Sequence, residues 1–278
     1  MARTDGSLEL WHGSAAMPVS SVPSLKSAVD ALYAASAHRR LPKGGLWLCT
    51  ECCTTPDRVQ RLEVTPKADL TADDFRPYFH SANYGDHQVE ERLYFLPRLL
   101  ELLTHGYYAS DNGVLSHFWP DLYLHMEADE VEAVTCLFGL WMDDVLSNPR
   151  SGERYVDPLD VLAACATVLW KASPALCHLA SPSKTVKPLS YALLVEDAAA
   201  LFDPNRDGEL VQALGAVHLP DVFETLISDP VLSRLEAFVL NGDDDFLVSV
   251  ASTSHEMIDH WRKQKATGQA LPERAGLN

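Results

Sequence analysis

The segment VEERLYFLPRLLELL, residues Val89–Leu103, decides the fold class. Its apolar residues recur at steps of four and three, which is the spacing of one face of an α-helix: Val89, Leu93, Leu96, Leu100 and Leu103. Asp86 precedes the segment as a predicted cap, and Gly106 predicts where the helix ends. Pro97 lacks a backbone N–H donor, so a kink is predicted at that point.

The same spacing recurs along most of the chain. Thr71 and Asp74 resemble a capping box at the start of another helix. Further helices are predicted at Ser24–Ala37, Val131–Val145, Leu189–Phe202, Asp221–Ile227 and Phe246–Gln264. Two more are predicted to begin at Pro158 and Pro230, each with the preceding aspartate, Asp157 or Asp229, as its cap. No segment has the length and alternation of a strand. The sequence therefore predicts an all-α, irregular multi-helix domain, with a HEAT-like helical stack in the second half as the alternative.

The first residues and two of the cysteines indicate the domain organisation and the cellular compartment. Residues 1–17 are interpreted as a disordered polar tail, and 18–278 as a single helical domain with a candidate sub-boundary near 105–125. The first residues contain no basic segment that leads into an apolar core, which is unlike a secretory signal. Cys136 and Cys165 fall in apolar helical patterns, as buried thiols do. We therefore expect a cytoplasmic protein.

Charge excludes some classes of partner. The chain has 22 Lys and Arg against 39 Asp and Glu, a formal net charge of −17. Such a chain is poorly suited to neutralise phosphates, so no nucleic-acid partner is predicted. No uninterrupted apolar run is long enough to cross a bilayer, so no membrane partner is predicted either. Residues 1–110 contribute about −2 and residues 111–278 about −15, which places most of the acidity in the later part.

Acidic residues of the later part form three clusters in the sequence: Glu127–Glu132, Asp143-Asp144 and Asp243-Asp244-Asp245. One interpretation is a solvated face that maintains solubility. The other is a docking surface for a basic protein, whose approach opposite charge accelerates. The residues predicted to bind such a partner are Asp143, Asp144, Asp243, Asp244 and Asp245.

A cysteine cluster is the strongest metal-binding candidate. Cys49, Cys52 and Cys53 form a C-x-x-C motif with one additional cysteine. Zinc takes four nitrogen or sulfur ligands, and this spacing supplies two from one turn. The sequence has no second C-x-x-C, but His80 or His87 lies at a spacing that would permit a Cys/His site. A zinc site and an unmetallated turn are the two interpretations.

Other motifs are incomplete. Asp203–Gly208 resembles the start of an EF-hand loop, but its twelfth position is Leu214 instead of glutamate. His255-Glu256 begins a zinc-protease pattern, but His260 comes one residue late, about 100° away from the required helix face. His255 and Asp259 are spaced to pair along a helix. No hydrolase elbow or nucleotide-binding loop is present, which disfavours an enzyme.

Three stretches together resemble a group of uncharacterised bacterial proteins. They are CTECC at Cys49–Cys53, LTADDFRPYFHSANYGDHQVEERLYFLPRLLELL at Leu70–Leu103, and LSRLEAFVL at Leu232–Leu240. The resemblance implies a helical fold and implies no activity.

The leading functional prediction is a non-enzymatic binding protein. Its most concrete form is a bacterial immunity protein that neutralises a basic toxin by occlusion, through the acidic later part. The alternatives are an enzyme or structural protein that binds zinc through Cys49, Cys52, Cys53 and His80, and a helical scaffold or adaptor. No cofactor other than this zinc is predicted.

Overall fold

The computed structural model describes residues 24–46, 48–51, 53–80, 88–107, 122–147, 156, 158–169, 171–182, 186–200 and 220–268. Regular structure in these ranges is helical, apart from a lone β-bridge position at Leu48. The predicted all-α, multi-helix fold is confirmed. The tail 1–17, the caps Asp86 and Asp157, and most of the candidate boundary lie outside the described residues.

Four α-helices are described in the first part of the chain. They are α1 (Leu25–Ala35), α2 (Pro56–Val64), α3 (Ala72–His80) and α4 (Gln88–Thr104). Short 3₁₀ turns at Ser36–His38 and Lys67–Asp69 follow α1 and α2.

The predicted ends of these helices are present. The side chain of Ser24 caps α1 by accepting from the Ser27 N–H at 3.1 Å. Asp74 accepts from the Thr71 N–H at 2.8 Å, and this completes the predicted capping box. Gly106 has φ +79°, a conformation that glycine adopts readily, and it ends α4. The helix α4 continues through Pro97.

The later part of the chain contributes seven further helices or helical segments to the described structure. They are α5 (Ala128–Ser147), α6 (Pro158–Leu169), α7 (Ser173–Ala180), α8 (Pro188–Ala200), α9 (220–226), α10 (Asp229–Asn241) and α11 (Asp245–Ala266). A 3₁₀ turn at Leu122–His125 precedes α5. The predicted cap of α10 is wrong by one residue, because Ser228 is the N-cap and Asp229 is the first helical residue.

One hydrophobic cluster extends from Ala28 in α1 to Ile258 in α11. Helix α5 lies at its centre, in contact with α1, α6 and α7. Most of α5 is buried, including Phe138 and Trp141, whose rings stack with centroids 6.0 Å apart. A large side chain buried in this way stabilises the fold by about 1.5–3 kcal/mol. The packing thus joins helices that are distant in the sequence.

Helices α10 and α11 form a helical hairpin at the end of the described chain. They contact each other extensively, and α11 also contacts α8. The buried hydroxyl of Ser254 on α11 donates to the Val250 carbonyl at 2.9 Å and to Ala192 of α8 at 3.4 Å. The hairpin is therefore anchored to the core, and its turn is exposed.

None of the described helices combines the length and the apolar character that crossing a bilayer would require.

Candidate docking surface

The turn between α10 and α11 carries the strongest candidate surface, residues Leu240–Phe246, which we name the acidic corner. Gly242 lies in the turn. A Cβ atom at this position would come within 2.6 Å of the Phe238 carbonyl oxygen and 2.9 Å of Val248 Cγ2. The close approach of the two helices therefore requires glycine here.

The three aspartates of the corner have different roles. Asp244 is the N-cap of α11, where its carboxylate accepts from the Phe246 N–H at 2.8 Å and the Leu247 N–H at 3.4 Å. Asp243 and Asp245 are exposed, and neither forms an ion pair with any described residue. Capping fixes the backbone that carries both. The corner therefore presents two exposed negative charges on an ordered support.

Two large apolar side chains border these charges. Leu240, in the last turn of α10, is 81% exposed, and Phe246, in the first turn of α11, is 58% exposed. The prediction from sequence did not include them in the surface. Leu240 could have been identified from the sequence, because it lies outside the apolar stripe formed by Leu232, Leu235 and Val239 and is therefore expected to be exposed.

Asp143 is predicted as a partner-binding residue, and the structure contradicts this. Its carboxylate is buried between α5 and α7, where Oδ2 lies 2.9 Å from Nδ1 of His178. This distance suits an ion pair when the imidazole is protonated. Asp143 therefore stabilises helix packing and cannot face a partner. Its neighbour Asp144 is partly exposed on the same helix, away from the hairpin turn in sequence.

A glycine makes room for this buried pair. A Cβ atom at Gly139 would lie 2.5 Å from Nε2 and 2.8 Å from Cδ2 of His178. The imidazole thus packs directly against the backbone of α5. Glycine within a helix costs about 1 kcal/mol relative to alanine, so a glycine in this apolar run is a signal of close packing.

The cluster Glu127–Glu132 is also divided between surface and interior. Glu127, Asp129 and Glu132 are exposed, whereas the side chain of Glu130 is fully buried. Arg39 donates to both carboxylate oxygens of Glu130, at 2.9 Å and 2.6 Å. Burial would raise the pKa of Glu130, but the Arg39 guanidinium and the hydrogen bond from the Glu127 N–H, at 2.9 Å, together outweigh burial and lower the pKa. The ion pair of Glu130 with Arg39 therefore stabilises the packing of α5 against the segment that follows α1.

The predicted zinc ligands lie only in part within the described residues. Cys49 and Cys53 are partly buried in a turn that the Thr54 N–H closes by donating to the Cys49 carbonyl at 3.1 Å. Cys52, His87 and the side chain of His80 lie outside the described residues. Among the side chains that the structure places, no three Cys, His, Asp or Glu form a metal-binding group. The zinc site stays a prediction.

Two further sequence interpretations change. His255 lies 3.4 Å from Glu236 of α10, and Asp259 pairs with Lys263 at 2.5 Å, so each has a closer partner than the other member of the predicted pair. Cys136 is exposed on α5, not buried as its apolar context indicates. Cys165 is buried as predicted. The EF-hand-like segment 203–208 lies outside the described residues.

The opposite end of α11 offers a useful contrast. An open groove of about 690 Å³ lies between α9, the start of α10 and the last turns of α11. Its cations are already paired, since Arg262 donates to Asp229 at 2.5 Å and Lys265 pairs with Glu224. The groove is thus electrostatically satisfied, whereas the acidic corner is not.

No protein-family model matches the chain, and no similar protein was found among the curated proteins or the solved structures.

Proposed function

We propose that the chain is a non-enzymatic helical binding protein that docks a basic protein through the acidic corner. The single observation that carries the proposal is the pair Asp243 and Asp245, which are exposed and form no ion pair with the described residues. Elsewhere in the described structure, many acidic side chains have a cation beside them, as Glu130 has Arg39.

Electrostatics supports a basic partner. The chain carries a net charge of −17, so its long-range field attracts cations and repels acidic molecules. Exposed charges of this kind mainly accelerate association. At moderate salt concentration, dissolved ions screen their attraction beyond about 10 Å. The two aspartates would then orient the incoming partner toward the hairpin turn.

The order of the corner supports a mode of action by occlusion. Asp244 fixes the turn by capping α11, so little conformational entropy is lost when a partner binds there. A preformed acidic surface can cover the basic substrate-binding face of another protein. The specific form that we propose is an immunity protein that neutralises a basic toxin in this way.

Affinity capture from the native host tests the proposal. The bait is the full chain, compared with Asp243→Asn/Asp245→Asn and with Asp69→Asn/Asp73→Asn, which changes the net charge equally at two other exposed aspartates. We expect one basic protein to be captured by the wild type and the control, and lost with the corner variant. The captured protein's activity should fall when wild type is added. A partner that is acidic, or that binds the corner variant equally well, contradicts the proposal.

A further inference from the structure

We infer that Leu240 and Phe246 are the apolar anchors of the acidic corner, and that its partner is a basic surface which also carries exposed apolar side chains. The inference rests on the proposed function and extends it, because it states the chemistry at the centre of the contact. It starts from the exposure of these two side chains, 81% for Leu240 and 58% for Phe246.

The position of the anchors distinguishes them from other exposed apolar side chains. Four large apolar side chains are strongly exposed within the described residues: Val64, Leu124, Leu240 and Phe246. Val64 ends α2 and Leu124 lies in a 3₁₀ turn, far from each other in the sequence. Leu240 and Phe246, in contrast, lie at the two helix ends that meet at one turn, the same turn that carries Asp243 and Asp245.

The combination matches the composition of protein interfaces. Charged residues accumulate at the rim and mainly affect the association rate, whereas apolar and aromatic side chains at the centre carry most of the binding energy. Asp243 and Asp245 supply the first kind of contact, and Leu240 and Phe246 supply the second. Because both anchors belong to the terminal turns of helices, their backbones are ordered before a partner arrives.

Charge complementarity selects the occupant. A second copy of this chain, also at −17, would place acidic corners opposite acidic surfaces, which is unfavourable. An anionic bilayer is repelled for the same reason. A protein surface rich in Lys and Arg neutralises the two aspartates, and its apolar side chains cover Leu240 and Phe246.

Two synthetic peptides serve as probes in the experiment. Both are lysine-rich and of equal charge; the first carries two leucines, and the second carries serines in their place. Fluorescence anisotropy measures their binding to the full chain and to three variants: Leu240→Ser/Phe246→Ser, Asp243→Asn/Asp245→Asn, and Val64→Ser as the matched control. Thermal unfolding verifies that each variant is folded.

We expect the leucine peptide to bind the wild type about tenfold more tightly than the serine peptide. Leu240→Ser/Phe246→Ser should abolish that difference and leave binding of the serine peptide unchanged, while Val64→Ser preserves both affinities. If the two peptides bind with equal affinity, or if Leu240→Ser/Phe246→Ser still prefers the leucine peptide, the inference that Leu240 and Phe246 are anchors is wrong. The proposal that the corner docks a basic protein is not contradicted by that result. If neither peptide binds, or if Asp243→Asn/Asp245→Asn binds both peptides with wild-type affinity, the proposed function is contradicted. The inference about Leu240 and Phe246, which depends on that function, is then contradicted as well.

Discussion

Helix α5 and the acidic corner both have clustered acidic residues in the sequence, yet the structure uses them differently. On α5, Glu130 and Asp143 are buried, one beside Arg39 and the other beside His178. At the corner, Asp243 and Asp245 are exposed without an ion pair among the described residues, and Asp244 caps a helix. Acidic residues that cluster in the sequence thus differ in environment according to the helix face that carries them: Glu130 and Asp143 lie inside the fold, whereas Asp243 and Asp245 lie on its surface.

The largest expected effect is on α5. Glu130→Ala leaves the mostly buried Arg39 without its carboxylate, so the free energy of unfolding should fall by about 3 kcal/mol or more. Urea denaturation measures the change. The neighbouring exposed Glu132 provides the control, and Glu132→Ala should change stability by less than about 0.5 kcal/mol. Equal effects of the two substitutions would remove the distinction between buried and exposed acids.

The same ion pair predicts a dependence of stability on pH. The pKa of Glu130 is lowered in the folded chain, so its contribution is fully present above the unfolded pKa of about 4.3. It is lost as the pH falls below that value, through the folded pKa. Urea midpoints between neutral and strongly acidic pH should show this loss for the wild type and a smaller loss for Glu130→Gln. Parallel curves for the two proteins would contradict the assignment.

A smaller effect is expected where His178 packs on α5. Gly139→Ala places a Cβ atom 2.5 Å from His178 Nε2, so the ring must move away from Asp143. Overpacking of this kind costs about 1–3 kcal/mol, and the better helix propensity of alanine offsets about 1 kcal/mol. The net destabilisation, measured by urea denaturation, should shrink in a His178→Ala background. An unchanged cost in that background would mean that the imidazole is not the obstacle.

At the corner, the effects on stability should be smaller still. Asp244→Ala removes the N-cap of α11 and should cost about 1 kcal/mol. Asp243→Asn alters no described contact and should stay within about 0.5 kcal/mol of the wild type. Thermal and urea unfolding of the two single variants distinguish the structural aspartate from the exposed one. A loss of stability for Asp243→Asn as large as that for Asp244→Ala would show that both are structural.

Local signals account for what the sequence predicts well. Most of the helices follow from apolar spacing, although α2 and α7 were not predicted. The caps at Ser24, Thr71 and Gly106 follow from short-range hydrogen bonds or backbone conformation. These features depend on residues within one or two turns. The sequence therefore predicts the all-α fold and most of the described helix ends within a few residues.

Long-range pairing accounts for what the sequence does not predict. Arg39 and Glu130 are 91 residues apart, so nothing near Glu130 identifies its partner. Asp143 and His178 likewise come from different helices, although Gly139 within an apolar run is a local sign of close packing. The clustering of Asp143 and Asp144 indicates an exposed surface, but Asp143 is buried because most of α5 lies inside the fold. The exposure of Leu240 and Phe246 depends on how α10 packs against α11, which cannot be read from the composition of either helix.

The association rate of the captured partner tests the central claim most directly. It should be measured at low and high salt by stopped-flow or surface-based kinetics, for the wild type and for Asp243→Asn/Asp245→Asn. We predict that the wild-type rate is higher at low salt and falls steeply as salt is added, while the variant associates more slowly with a weaker salt dependence. Identical rates and identical salt dependence for the two proteins would contradict docking through the acidic corner.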